Sequence, residues 1–146
     1  MRRTRFDDAE CPVARTADLL GDWWTPLVLR ELLLGRGRFA TIQDRLDISK
    51  AVLSQRLKRL EADGVVERVR YQDQPPRFEY HLTEKGTALW DVVAAMWRFG
   101  DEWLFTDGAR IELIDSRTGE LIRARMIDQT TGEPLDLPTT RIRLRS

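Results

Sequence analysis

The chain has 146 residues, of which 42% are hydrophobic and 33% are charged, and equal numbers of basic and acidic side chains give a formal net charge of zero. This length fits about one domain, and the composition excludes a disordered chain and a collagen. No apolar run reaches the roughly 18–20 residues of a membrane span, and no apolar stretch follows the basic N-terminus. The single cysteine, Cys11, excludes an internal disulfide. We therefore expect a cytoplasmic protein with no membrane partner.

Four helices are predicted in the first half of the chain. Apolar side chains recur with helical spacing over residues 12–21 and again over residues 24–34. The second of these helices is apolar around most of its circumference, which predicts a central core helix. A short third helix over residues 39–46 is followed by a turn and by a fourth helix that begins after the N-cap Ser49 and runs to about residue 62.

The fourth helix is predicted to be amphipathic. Its apolar face is formed by Val52, Leu53, Leu57 and Leu60. At 100° per residue, small and hydrogen-bonding side chains point the other way: Ala51, Ser54, Gln55 and Lys58. Such a helix is anchored by one face and free to contact a partner with the other.

The apolar period then changes from 3.6 to about 2, which indicates strands. Two alternating segments, residues 65–71 and 77–82, flank a polar turn that ends in two prolines, and together they predict a β-hairpin. Thr83 is the predicted N-cap of a long helix over about residues 84–104.

The C-terminal tail has an internal repeat. The pattern Ile-Asp-x-x-Thr-Gly-Glu begins at Ile114 and again, 13 residues later, at Ile127. Each copy is typical of a strand, a glycine-containing turn and a second strand, so a small three-stranded meander is predicted over residues 110–144. The tail is either a structural appendage, which covers apolar surface or extends a dimer contact, or a module that binds an effector or a partner.

The order of elements predicts an α+β fold, a winged helix-turn-helix with a long C-terminal dimerisation helix and a small β-meander tail. The predicted organisation is an N-terminal arm over residues 1–9, a DNA-binding and dimerisation domain over residues 10–105, and a β extension over residues 106–146.

A recognition helix in a winged helix-turn-helix enters a major groove about 12 Å wide, and cations around it contact phosphates. Residues 36–70 hold nine basic and five acidic side chains, whereas residues 71–105 hold three and six, which confines the basic surface to the helix-turn-helix. We expect double-stranded DNA as the partner. The predicted contacts come from the helix-turn-helix and from the tip of the hairpin: Arg38, Arg45, Ser49, Lys50, Ala51, Ser54, Gln55, Lys58, Arg59, Gln72, Gln74 and Arg77.

Several motifs resemble the HxlR family of transcriptional regulators, which have a MarR-like winged helix. The resemblance covers residues 11 to about 104, in the family's order. It is carried by Cys11-Pro12-Val13, Gly21-Asp22-Trp23-Trp24-Thr25, Leu29-Arg30-Glu31-Leu32, Gly35-x-x-Arg38-Phe39, Ile48-Ser49-x-x-x-Leu53-Ser54-x-Arg56-Leu57 and Pro75-Pro76-Arg77-Phe78-Glu79-Tyr80. It implies a dimeric repressor or activator of bacterial genes that dimerises through its N-terminal and long C-terminal helices. It also implies that Ser49–Arg59 form the recognition helix and residues 70–78 the wing.

The long helix carries more apolar area than one small domain can bury, which independently favours a homodimer. Alternatively, this helix packs across its own domain, with the tail covering it. The predicted interface residues lie at the N-terminus and along the long helix: Val13, Trp90, Val93, Met96, Trp97 and Trp103.

Cys11 has two interpretations. Some members of the family that this chain resembles sense oxidants or electrophiles through a lone cysteine at this place, and a helix N-terminus favours a thiolate. Alternatively, Cys11 is a half-buried thiol whose ionisation is opposed by acidic neighbours at positions 7, 8 and 10. An oxidant or a small ligand at the dimer interface is therefore an expected effector.

No catalytic, cofactor or metal site is predicted. One histidine and one cysteine are too few nitrogen and sulfur ligands for zinc, and no phosphate-binding glycine motif occurs. The favoured function is a homodimeric regulator on a pseudo-palindromic operator. The alternative is a winged-helix module that binds proteins and not DNA, which the acidic residues Asp73 and Glu79 of the wing favour slightly.

Overall fold

The computed structural model describes residue 6 and residues 8–143, so most of the predicted N-terminal arm lies outside the described residues. The chain divides into two compact units, one ending at Val93 and the other beginning at Ala94. In chain order the elements are α1 (Pro12–Leu20), α2 (Trp24–Leu33), α3 (Phe39–Leu46), α4 (Lys50–Ala62), β1 (Val66–Gln72), β2 (Arg77–Leu82), α5 (Glu84–Ala88) and α6 (Trp90–Trp103). Within the described ranges, none of these helices has both the length and the apolar character needed to cross a membrane.

The core of the first unit forms around α2 and α4. Val28 and Leu29 of α2 are fully buried, as are Leu53 and Leu57 of α4. The remaining buried apolar side chains come from the other elements and from the ends of these two helices: Leu32, Ile42, Ile48, Leu60, Val65, Val66 and Val93. The predicted central position of α2 and the predicted amphipathic character of α4 are confirmed.

The predicted helix caps are confirmed by their hydrogen bonds. The Ser49 side chain accepts a hydrogen bond from the backbone N–H of Val52 at 3.2 Å and so starts α4. The Thr83 side chain does the same for the N–H of Gly86 at 3.1 Å and starts α5. Each bond satisfies a donor that the first helical turn leaves without a partner.

The wing is the antiparallel hairpin β1–β2, and it is joined to the helices at its base. Val66 pairs with Leu82 and Arg70 pairs with Phe78, with a register shift before Gln72. The Tyr80 N–H donates to the Gly37 carbonyl at 2.8 Å. A Cβ atom at Gly37 would lie only 2.2 Å from the Tyr80 carbonyl oxygen, so glycine permits the loop before α3 to lie directly on β2.

The prediction of one long helix over residues 84–104 is wrong. The structure has two helices, α5 and α6, which are separated at Leu89. The Leu89 N–H donates to the Gly86 carbonyl at 3.1 Å, a tighter turn than in an α-helix. A Cβ atom at Gly86 would lie 2.1 Å from the Val65 carbonyl oxygen, so the chain packs closely on the start of the wing here. This close packing fixes the first turn, and the helix restarts after it.

The predicted three-stranded meander is also wrong. The tail contains a first hairpin (residues 110–125), which holds the single bridge Ile114–Leu121, and a second hairpin (residues 126–136), which holds the single bridge Ile127–Pro134. Backbone hydrogen bonds lie beside each bridge, from the Ile122 N–H to the Leu113 carbonyl at 2.7 Å in the first hairpin and from the Leu135 N–H to the Met126 carbonyl at 3.0 Å in the second. Each turn is closed by local hydrogen bonds, and in the described part of the tail the two hairpins form no continuous sheet.

Candidate nucleic-acid interface

The exposed face of α4 is the centre of the candidate interface. The leucines of α4 are buried, whereas its N-cap and its outward side chains are all exposed. The exposed residues are Ser49, Lys50, Ala51, Ser54, Gln55 and Lys58. These side chains are short or carry hydrogen-bonding groups, and two of them are cationic. The arrangement offers base-edge contacts at the centre of the helix and phosphate contacts beside them.

Two arginines of α4 hold the helix in place. Arg56 Nε lies 2.9 Å from Asp22 Oδ2, and Asp22 also accepts from the Trp24 N–H at 2.7 Å, where it caps α2. Arg59 Nη2 lies 3.0 Å from Asp18 Oδ2 of α1. These ion pairs fasten α4 to α1 and to the loop between α1 and α2.

Arg59 therefore differs from the free flanking cation that the sequence predicted. Its Nε also lies 3.3 Å from Asp63 Oδ2. Burial acts to lower the pKa of Arg59, but the carboxylates of Asp63 and Asp18 outweigh it, and the pKa is raised. Lys58, which has no such ion pair among the described residues and is exposed, is left as the freer cation at this end of α4.

Arg45 is part of a charge cluster that the sequence analysis missed. Glu31 of α2 is completely buried, and its carboxylate is surrounded by three guanidinium groups. Glu31 Oε1 accepts from Arg30 Nη2 at 2.9 Å. Glu31 Oε2 accepts from Arg36 Nη1 at 3.0 Å and from Arg45 Nε at 2.7 Å. The cluster links α2, the loop after it and α3, and three cations surround one anion.

The pKa of Glu31 reflects this environment. Burial acts to raise it, since a low dielectric disfavours the charged form. The hydrogen bonds from Arg36, Arg30 and Arg45 are stronger in sum and hold the pKa of Glu31 below its ordinary value of 4.5. Glu31 is therefore ionised at neutral pH and orients the half-exposed Arg45.

The wing carries more cationic surface than the sequence analysis assigned. Gln74 and Arg77 are exposed near its tip, and the Gln72 side chain donates to the Gln74 carbonyl at 3.1 Å. The exposed Arg68 and Arg70, which were missed, lie over the Phe78 ring at 4.4 and 5.5 Å from its centroid. The alternation of arginines in β1 opposite an aromatic residue in β2 was the signal available for them.

Arg38 connects α3 to the wing. Its guanidinium carbon lies 4.6 Å from the Tyr71 ring centroid, and its Nε lies 3.5 Å from Glu79 Oε2. The hydrogen bond from His81 lowers the pKa of Glu79, with burial acting against it and Arg38 adding to it. Glu79 is thus ionised beside Arg38, whose side chain is 62% exposed.

The predicted dimer residues fall into three groups by exposure. Val13 is 76% exposed, Trp103 is 70% exposed and Met96 is 49% exposed, whereas Trp90 and Trp97 are partly buried. The prediction of Val93 as a dimer residue is wrong, because Val93 is only 7% exposed and belongs to the core of its own unit. A side chain in that position has almost no surface to offer a second protomer.

Cys11 is exposed and stands at the N-cap of α1, without a side-chain hydrogen bond to the helix. A thiol in this place is accessible to an oxidant and close to the positive end of the helix. Within the described ranges, no group of three or more His, Cys, Asp or Glu residues is arranged to hold a metal ion.

Comparisons with known proteins find helix-turn-helix transcriptional regulators. The family model for the HxlR-like helix-turn-helix matches residues 19–107. Rv3095, an uncharacterized HTH-type transcriptional regulator of Mycobacterium tuberculosis, is 37% identical over 124 residues, which cover 84% of this chain and 78% of that protein.

Two solved structures have a fold similar to that of this chain. The crystal structure of PA1607, a candidate transcription factor, matches with a TM-score of 0.88 at 32% identity and covers 96% of this chain and 99% of that one. This coverage includes most of the C-terminal unit. The redox regulator HypR, in its reduced form, matches with a TM-score of 0.59 at 34% identity over 63% of this chain and 92% of that one.

Proposed function

Because the chain belongs to the HxlR-like helix-turn-helix family and is a transcriptional regulator of that type, we propose that it represses its target genes as a homodimer on a pseudo-palindromic operator. Each protomer places α4 in one major groove, and the bound dimer blocks access to the promoter. In this proposal residues 10–105 form the DNA-binding and dimerisation domain, and residues 106–146 extend it.

The observation that carries the proposal is the two-sided character of α4. Buried leucines and the ion pairs of Arg56 and Arg59 hold one side rigidly on the unit. The other side presents Ser54 and Gln55 at its centre with Lys50 and Lys58 beside them, all exposed. Rigid support and small polar side chains are what reading of base edges requires.

Phosphate contacts are proposed on both sides of the recognition helix. Arg45 lies on α3, and Arg38 lies where α3 meets the wing. Gln72, Gln74 and Arg77 lie around the turn of the wing, where they can reach the flanking backbone or the minor groove. Since these residues lie on separate elements, each protomer covers several phosphates.

The homodimer is supported by the exposed apolar side chains of α1 and α6. Val13 is exposed in the first turn of α1, and Met96, Phe99 and Trp103 are about half or more exposed on α6. Exposed apolar area of this extent is typical of a protein–protein contact. Two half-sites then double the number of base contacts, which offsets the modest basic charge of one protomer.

The test is a gel shift of the full chain on the DNA that flanks its own gene, with scrambled DNA of the same length as the control. We expect specific binding whose logarithmic dependence on salt concentration is steep and linear. If no DNA binds even at low salt, the proposal is refuted and the alternative, a winged-helix module that binds proteins, is favoured.

Thiol oxidation at Cys11 is proposed as the signal, which the likeness to the redox regulator HypR supports. In the proposed step an oxidant such as diamide takes two electrons and two protons from two Cys11 thiols, and one intermolecular disulfide forms. We expect the DNA affinity of the oxidised protein to differ from that of the reduced protein by roughly tenfold. The reason is that a disulfide between the protomers favours one relative arrangement of the two over another.

The matched variant is Cys11→Ser, which has no thiol at all. It should bind DNA like the reduced protein and should not respond to diamide, while a reductant should restore the wild type. An unchanged affinity of the wild type after disulfide formation, or an equal response of the serine variant, would exclude this signal.

A further inference from the structure

The tail of the second unit leaves an unusual number of apolar side chains uncovered. Each of the following is about half or more exposed: Ile111, Ile114, Leu121, Met126, Ile127, Leu135 and Leu137. All but Leu137, which follows the second hairpin directly, belong to the two hairpins, and each hairpin holds only one bridge. An isolated two-stranded hairpin is marginal in water, so these side chains need a surface to pack on.

The turns of the two hairpins are nevertheless well defined. Asp115 accepts from the Arg117 N–H at 2.8 Å, and the Arg117 side chain lowers the pKa of Asp115 to about 2. Asp128 accepts from the Thr130 N–H at 2.9 Å at the equivalent place in the second copy of the repeat. Hairpins that are formed in advance lose little conformational entropy when they bind a partner.

The two hairpins differ in charge. The first hairpin carries four arginines and three acidic residues, whereas the second hairpin carries three acidic residues and no basic one. A surface that fits both hairpins should therefore be acidic opposite the first and basic opposite the second. The two hairpins themselves meet this requirement, because their net charges are opposite in sign and both expose apolar side chains.

We propose that the first hairpin of one protomer packs against the second hairpin of a second copy of this chain. A two-fold axis makes this contact twice, as in an isologous interface where each patch meets its complement on the partner. The inference rests on the homodimer of the proposed function and adds a second contact to it. Phe99 and Trp103 of the same unit are 57% and 70% exposed, so the apolar surface continues onto α6.

The first test removes apolar area from the hairpins in the full chain. In Leu121→Ser/Ile127→Ser we expect the dimer dissociation constant, measured by sedimentation equilibrium, to rise at least about tenfold, because two central side chains of the contact are lost. Ile142→Ser, which lies beyond both hairpins and is 99% exposed, is the matched control and should leave the constant unchanged.

The second test exchanges charge and leaves the apolar residues in place. Arg123→Glu/Arg125→Glu and Glu133→Arg/Asp136→Arg should each weaken the dimer, because like charges then face each other. The chain with all four substitutions exchanges the net charges of the two hairpins, and we expect its dissociation constant to return to within about threefold of the wild type.

The outcomes separate this inference from the proposed function. If all hairpin variants dimerise like the wild type while Trp103→Ser is monomeric, the hairpin contact is refuted and the homodimer stands. If the fourfold variant is as weak as either double variant, pairing between unlike hairpins is refuted. A wild type that is monomeric at every concentration overturns both the hairpin contact and the proposed homodimer.

Discussion

Replacing Glu31 with glutamine is expected to lower the free energy of unfolding by about 3 kcal/mol, because breaking a buried ion pair leaves its partners without a counter-charge. Glutamine preserves the shape of the side chain but removes the anion that binds Arg30, Arg36 and Arg45. Three cations are then held together around a neutral amide. Urea denaturation followed by circular dichroism at pH 7 measures the loss, with the exposed Glu61→Gln on α4 as the matched control.

The pH dependence of this loss has a defined sign. The arginines hold the pKa of Glu31 below 4.5 in the folded protein, so its stabilising contribution is fully present above about pH 5 and is lost as the pH falls through the folded-state pKa. The difference between wild type and Glu31→Gln should therefore shrink on acidification. A variant as stable as the wild type at pH 7, or a difference that does not change with acidification, contradicts this account of the cluster.

The elements that could be predicted are those with local causes. The period of apolar residues places α1 to α4 within one or two residues, and the caps at Ser49 and Thr83 depend on bonds to residues only three positions away. The hairpin β1–β2 follows in the same way from alternation and a turn that contains two prolines.

The charge cluster could not be predicted, because its partners are brought together only by the fold. Arg45 lies 14 residues from Glu31, and Arg59 lies 41 residues from Asp18. A count of charges cannot tell which arginines are held by carboxylates and which are available to a ligand. The sequence alone therefore predicts Arg45 and Arg59 as phosphate-binding cations, although both form ion pairs in the folded unit.

The two wrong predictions have a related cause. The break at Leu89 follows from the packing of Gly86 on the Val65 carbonyl, a contact between residues 21 positions apart. The repeat in the tail predicts the two turns correctly, but the length of each ladder depends on which backbone groups find a partner. In the described tail each hairpin pairs at a single bridge, with backbone hydrogen bonds only beside it, such as that from the Leu135 N–H to the Met126 carbonyl at 3.0 Å in the second hairpin.

Substitutions on the exposed face of α4 should distinguish base contacts from phosphate contacts. In Gln55→Ala we expect the affinity for the operator to fall by about 10- to 100-fold while binding to unrelated DNA stays the same, since a lost base contact costs 1–3 kcal/mol. In Lys58→Ala we expect affinity to fall on every DNA and the salt slope to decrease by about one, because one phosphate contact is lost. Titration of labelled operator and scrambled DNA at several salt concentrations measures both effects.

The contrast between the two variants is the decisive part of this experiment, because a general loss of folding affects specific and non-specific binding alike. Ile142→Ser, which lies beyond both hairpins and is exposed, is the control and should bind both DNAs like the wild type. If Gln55→Ala weakens operator and scrambled DNA equally, Gln55 does not contact a base. If both α4 variants bind like the wild type, α4 does not lie in the groove, and the polar face supported by Leu53 and Leu57 has another partner.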